Sequence, residues 1–154
     1  MLESIPFAAF FAFELPVHYM ARAPRMNGNF AEWAPRYDAP RLAELSGGPA
    51  HAAVSWAWNE DGLYFYFDVS NREGRLRGDE AQWWKNDGIR LCIDTRDSRD
   101  VRRGTRFCHF FYFQPIGGGA KKRDPVVGIH KMSRAKETPP KSDLSQIRCV
   151  ADVH

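Results

Sequence analysis

The sequence predicts an all-β protein, an antiparallel two-sheet β-sandwich of jelly-roll type. Three observations lead there. Leu63 to Val69 and Gly88 to Asp94 alternate in hydrophobicity with a period of two, as half-buried strands do. Asn59-Glu60-Asp61-Gly62 sits between two apolar runs as a hairpin loop should. No stretch carries a convincing apolar period of 3.6, so helices contribute little. At 154 residues the chain suits one domain, taken as 1–154.

The elements follow in order. Residues 5–20 are β-prone and punctuated by Pro6 and Pro16. Residues 21–50 are rich in turn formers, with a turn signal at Asn27-Gly28-Asn29; Arg41 to Leu45 fits a short helix or a strand equally. Ala53 to Trp58 and Leu63 to Val69 form the hairpin, with Leu63, Phe65, Phe67 and Val69 expected inward and Tyr64, Tyr66 and Asp68 outward. A polar loop over 70–86 ends in Trp83-Trp84. The next strand places Ile89, Leu91 and Ile93 inward and Arg90, Cys92 and Asp94 outward. Phe107 to Gln114 is apolar on both faces, which marks a central strand. Val126 to Ile129 is a short strand, 131–143 is an exposed Lys/Pro/Ser-rich segment, and Ile147 to Val153 opens a last strand.

Charge is uneven. Net charge is +3, from 22 Lys and Arg against 19 Asp and Glu. Residues 1–71 carry a net −4, 72–106 a net +3 and 120–148 a net +5. The longest Lys/Arg run is Lys121-Lys122-Arg123, too short to point to nucleic acid. No run of about 18 apolar residues exists, so no membrane-spanning helix is expected. The three cysteines, Cys92, Cys108 and Cys149, lack C-x-x-C spacing and fit neither a zinc framework nor a disulfide scaffold. The apolar run Ile5 to Phe13 has no cationic start and no small-residue cleavage site, so a cytoplasmic location is the default and secretion the alternative.

Catalytic templates find little purchase. No G-x-S-x-G elbow is present. Cys108 and His109 are adjacent, and successive strand residues point to opposite faces, so they form no nucleophile–base pair. Glu80, Asp87 and Asp94 offer carboxyls for glycoside hydrolysis, but nothing selects a pair. Gly117-Gly118-Gly119 followed by Lys121-Lys122 departs from the phosphate-binding loop pattern. His51 and His130 have no partners at metal spacing.

Trp83-Trp84 stands out. Two large rings at a loop–strand junction, flanked by Gln82, Lys85, Asn86 and Asp87, allow one to pack inward while the other stays exposed. An exposed indole offers a flat apolar face to the C–H side of a sugar ring, and nearby amides and charges take its hydroxyls. Both rings closing the end of a sandwich is the competing reading.

Trp84-Lys85-Asn86-Asp87-Gly88-Ile89-Arg90-Leu91-Cys92-Ile93-Asp94 resembles the W-x-x-D-x-V-x-I-x-I-D signature of family 9 carbohydrate-binding modules. Met26 to Trp33 is similar to that family's opening I-D-G turn and Trp, and Trp58 to Tyr64 to its W-D-x-x-x-L-Y hairpin. Order and approximate spacing agree over residues 25–114. The resemblance implies a β-sandwich that holds xylan or cellulose sugars between two Trp rings, with Trp84 as one ring. It implies a structural calcium ion as the cofactor, for which Asp61, Asp68 and Asp94 are acidic candidates without an assigned ligand set. The chain departs from the family where Arg90 replaces a Glu, and where His109 and Gln114 are the polar residues in place of a contact pair on the next strand. The second Trp belongs to a C-terminal loop past the end of this sequence, so C-terminal strands are expected to be missing.

The expected function is non-catalytic carbohydrate binding, carried by Trp84, Trp83, Asn86, Arg90 and His109. The alternative is a β-sandwich serving protein interaction or structure without a sugar site. The expected partner is carbohydrate rather than nucleic acid or membrane, with self-association through an unpaired sheet edge as a further expectation.

Overall fold

The structure is a computed structural model and describes residues 14–41, 47, 51–70, 73–96 and 103–153. The regular structure of the described residues is mainly strand, in two sheets of three, and their helices are short 3-10 turns. They gather into two compact units. The first takes the residues up to Arg25 and from Asn29 to Glu73; the second takes Met26–Gly28 and those from Gly74 onward.

The sheet of the first unit runs β1 (His18–Tyr19), β2 (Ala52–Asn59), β3 (Gly62–Val69). β2 and β3 form the expected antiparallel hairpin in continuous register from Ala52↔Val69 to Asn59↔Gly62. β1 departs from the antiparallel expectation: it pairs with β2 in parallel over His18↔Ala57 and Tyr19↔Trp58. The apolar run Ile5 to Phe13, and the Arg41 to Leu45 segment beyond Arg41, lie outside the described residues.

The inward face expected for β3 holds only in part: Phe65 and Phe67 are half-buried and Asp68 is exposed as expected, but Tyr64 and Tyr66 are half-buried as well and it is they that pack on the buried cluster. The buried cluster is Met20, Trp33, Tyr37 and Ala57, and Tyr64 and Tyr66 pack against it. Leu63 and Val69 are 46% and 57% exposed. A phenol can bury its ring and still satisfy its hydroxyl, which ranking residues by hydrophobicity overlooks. Here the Tyr64 hydroxyl donates to Asn59 Oδ1 at 2.9 Å.

Asn59 ties the hairpin together. Its Oδ1 also accepts from the backbone N–H groups of Asp61 (2.9 Å) and Gly62 (3.2 Å), and its Nδ2 donates to the Met20 carbonyl at 3.2 Å. The side chain closes the Glu60–Asp61 turn and fastens the segment following β1 to the end of β2. At 7% exposure, these bonds are poorly replaced by water.

The sheet of the second unit runs β4 (Ile89–Asp94), β5 (Cys108–Gly118), β6 (Asp124–Ile129), all antiparallel, with β5 central as its two apolar faces suggest. The β4 alternation holds, with Ile89, Leu91 and Ile93 partly buried and Arg90, Cys92 and Asp94 exposed. Gly117, Gly119 and Lys122 take positive φ where β5 turns into β6, so the glycine run serves the hairpin bend. The strand expected over Ile147 to Val153 is not formed. Asp143 instead caps a 3-10 turn at Leu144–Gln146, accepting from the Ser145 N–H at 3.0 Å, and residues 147–153 continue without strand pairing.

Asn59→Ala is expected to destabilise the protein by about 2–4 kcal/mol in denaturant unfolding, because several donors lose one buried acceptor together. Asn59→Asp, which keeps the acceptor, is expected to cost less.

Candidate functional site

The site belongs to the second unit and begins with the loop before β4. The loop is stapled at its base: Asp87 Oδ2 accepts from the Arg77 N–H at 2.7 Å, and the Asp87 N–H donates to the Arg77 carbonyl at 3.1 Å. Asp79 caps the 3-10 segment Glu80–Lys85 by accepting from the Ala81 N–H at 3.0 Å. Asn86 Nδ2 donates to the carbonyls of Asp79 (3.1 Å) and Gln82 (2.9 Å). Gly88 passes close to β5, where a Cβ would stand 2.6 Å from the Phe113 carbonyl oxygen. These contacts give Trp83 and Trp84 a fixed exit from the loop.

The two rings then diverge. Trp83 lies flat on Tyr112, with centroids 4.5 Å apart and planes 11° from parallel. Phe110 meets it edge-on at 5.8 Å and His130 tilts against it at 4.8 Å. Register accounts for the group. Arg90 faces Tyr112 and Cys92 faces Phe110 across the β4–β5 ladder, while Tyr112 faces Gly128 across the β5–β6 ladder. These residues therefore share one sheet face. The Tyr112 ring occupies the space that a side chain at Gly128 would need. Trp84 stands edge-on to Trp83 at 6.1 Å and is 52% exposed.

Arg90 connects the rings. Its guanidinium carbon is 5.3 Å from the Trp83 centroid, and its Nη2 donates to the Trp84 carbonyl at 3.3 Å. Beside it opens a cavity of about 270 Å³, lined by Trp83, Asn86, Arg90, Tyr112, Gln114 and neighbouring backbone. Gln114 is 1% exposed, and neither its amide nitrogen nor its amide oxygen has a hydrogen-bond partner within the protein. Burial pushes the Tyr112 phenol above its ordinary pKa, and the charge of Glu80 pushes the same way, so at neutral pH Tyr112 stays uncharged.

Of the residues expected from sequence, Trp83, Asn86 and Arg90 come together at the cavity, and Trp84 stands beside Trp83. The Asn86 amide nitrogen is already engaged in bracing the loop. His109 is not brought there. It falls on the opposite face of β5, opposite Ile93, where its ring stacks on Phe111 at 6.1 Å and its Nδ1 lies 3.2 Å from Ser142 Oγ. The residues under-read in the sequence are Phe110, Tyr112, Gly128 and His130. Continuing the period of two through Phe110, Tyr112 and Gln114 would have placed three of the site's side chains on one face.

The acidic residues named as calcium candidates do not come together among the described residues. No three His, Cys, Asp or Glu side chains among them gather for a metal ion, and Asp61 and Asp68 stand near opposite ends of β3. No described helix is long and apolar enough to cross a membrane. Compared with known proteins, the chain matches no family model, no curated protein and no solved structure.

Gly128→Ala is expected to displace the Tyr112 ring and loosen Trp83. The expected result is about 1–3 kcal/mol of lost stability, with a reduced near-ultraviolet dichroism signal from the stacked rings. An unchanged near-ultraviolet spectrum would show that Tyr112 does not depend on that gap.

Proposed function

We propose that this protein binds carbohydrate without transforming it, using Trp84 as a stacking platform and the adjacent cavity to hold sugar hydroxyls. The reading carries with it the family 9 resemblance and the sandwich fold that the resemblance implies. The observation that supports it best is the Gln114 amide, buried and unpartnered at the cavity wall. A buried amide without partners costs about 1–3 kcal/mol, so it calls for a reason. A sugar hydroxyl both donates and accepts, and neighbouring hydroxyls on one ring can serve the amide nitrogen and oxygen together. Trp83 has a flat face committed to Tyr112, which leaves Trp84 as the indole available to a ligand. Among the described residues no pair of carboxyls lines the cavity, which favours binding over hydrolysis.

Intrinsic Trp fluorescence titrated with soluble neutral oligosaccharides tests the reading. The parent is expected to give a saturable change, and Trp84→Ala to weaken it by about tenfold or more, equivalent to about 1.4 kcal/mol. Gln114→Met is expected to melt at a higher temperature while binding more weakly, because it removes both the unpartnered amide and its use. Undiminished binding by Trp84→Ala would overturn the platform.

A further inference from the structure

A second concave site lies in the same unit, at the other end of β4. It is a broad groove of about 700 Å³ lined by Arg96, Arg103, Arg106 and Lys136, with Glu137 as the one acidic residue among its described lining residues. Among the described residues, none of the four cations is ion-paired to a carboxylate; the close pair is Arg25–Glu32, in the other unit. Four like charges in one groove repel each other, and a ligand of opposite charge relieves that repulsion.

The groove is also partly ordered before anything binds. The Arg96 guanidinium sits 3.9 Å from the Phe107 centroid and that of Arg106 sits 5.0 Å from it. Arg96 Nη2 donates to Thr105 Oγ1 at 2.9 Å. The Lys136 N–H donates to the Gly104 carbonyl at 2.8 Å, tying the segment that carries Lys136 to the one that carries Arg103. Guanidinium groups held in place match the planar fork of a carboxylate.

We infer that the glycan bound by this protein is acidic, and that this groove takes its carboxylates while the Trp84 site takes a sugar ring. The inference rests on the carbohydrate reading above and names the class of its ligand. Arg90 lies near the start of β4 and Arg96 in the turn just past its end, at most about 20 Å apart at 3.3 Å per residue, a span that an extended polymer covers. The cavity at the Arg90 end has no carboxylate among its described lining residues. Asp94, between them, is engaged by the Cys108 thiol at 3.3 Å and the Arg96 N–H at 2.9 Å. Nucleic acid fits less well, because the ring in the groove, Phe107, is covered by guanidinium groups where a base would need to stack.

The test compares a polygalacturonate oligomer with its methyl ester, which keeps the backbone and removes the charge. Calorimetric titration of the full chain is expected to show about tenfold tighter binding of the acid at low salt, with the preference shrinking as salt rises. Arg103 and Arg106 are exposed, so the double variant Arg103→Gln/Arg106→Gln is expected to fold normally. It is expected to lose the preference while holding the ester as the parent does. Equal binding of acid and ester, no binding of the acid, or a preference that survives the double variant would each overturn the inference. Tighter binding of polyuridylate through the same arginines would overturn it in favour of nucleic acid. Trp84→Ala separates the two readings: ester binding that depends on Trp84 sustains the carbohydrate site even where the preference for the acid fails.

Discussion

The stack of Trp83 on Tyr112 over Gly128 is the contact on which the candidate site depends. A glycine on β6 leaves room for a phenol on β5, the phenol carries an indole from the loop before β4, and that indole fixes where the next residue points. The arrangement uses all three strands of one sheet together with the loop. Because the rings meet within about 11° of parallel at 4.5 Å, small displacements at Gly128 carry through to Trp83. Trp84 inherits a defined position without being buried itself, which is what a binding platform requires.

Two polar devices complete the frame. Asp87 and Asn86 close the loop through backbone contacts, so the polar residues beside the Trp pair serve architecture first. This gives the W-x-x-D spacing a local reason: the Asp staples the loop that presents the Trp. Gln114 does the opposite. It sits on the most enclosed part of β5 with its amide unspent, in a sheet where the other buried polar groups are satisfied among the described residues. The contrast between a braced loop and an unbraced amide separates the scaffold from the surface proposed to meet a ligand.

Much of the second sheet was legible in the sequence. The alternation of β4 and the two apolar faces of β5 depend on local pattern alone, and both hold. The hairpin of the first unit was legible for the same reason, but its faces only in part. Tyr64 packs on the cluster with its hydroxyl satisfied by Asn59, five residues away, a partner that local hydrophobic pattern does not reveal. His109 was misplaced toward the site because a lone polar residue on an apolar strand attracts attention, whereas its parity puts it on the other face. Tyr112 and Gly128 were illegible as a pair, since their meeting depends on the β5–β6 register. The strand expected after Ile147 is absent: a capped 3-10 turn at Leu144–Gln146 is followed by residues 147–153 without strand pairing.

The most direct test of the account is the side-chain amide resonance of Gln114, followed by nuclear magnetic resonance as a neutral oligosaccharide is added. The account expects a saturable shift of both amide protons, tracking the Trp84 indole N–H with the same dissociation constant. A Trp84 resonance that moves while the Gln114 amide stays still would contradict the claim that the cavity and the platform form one site.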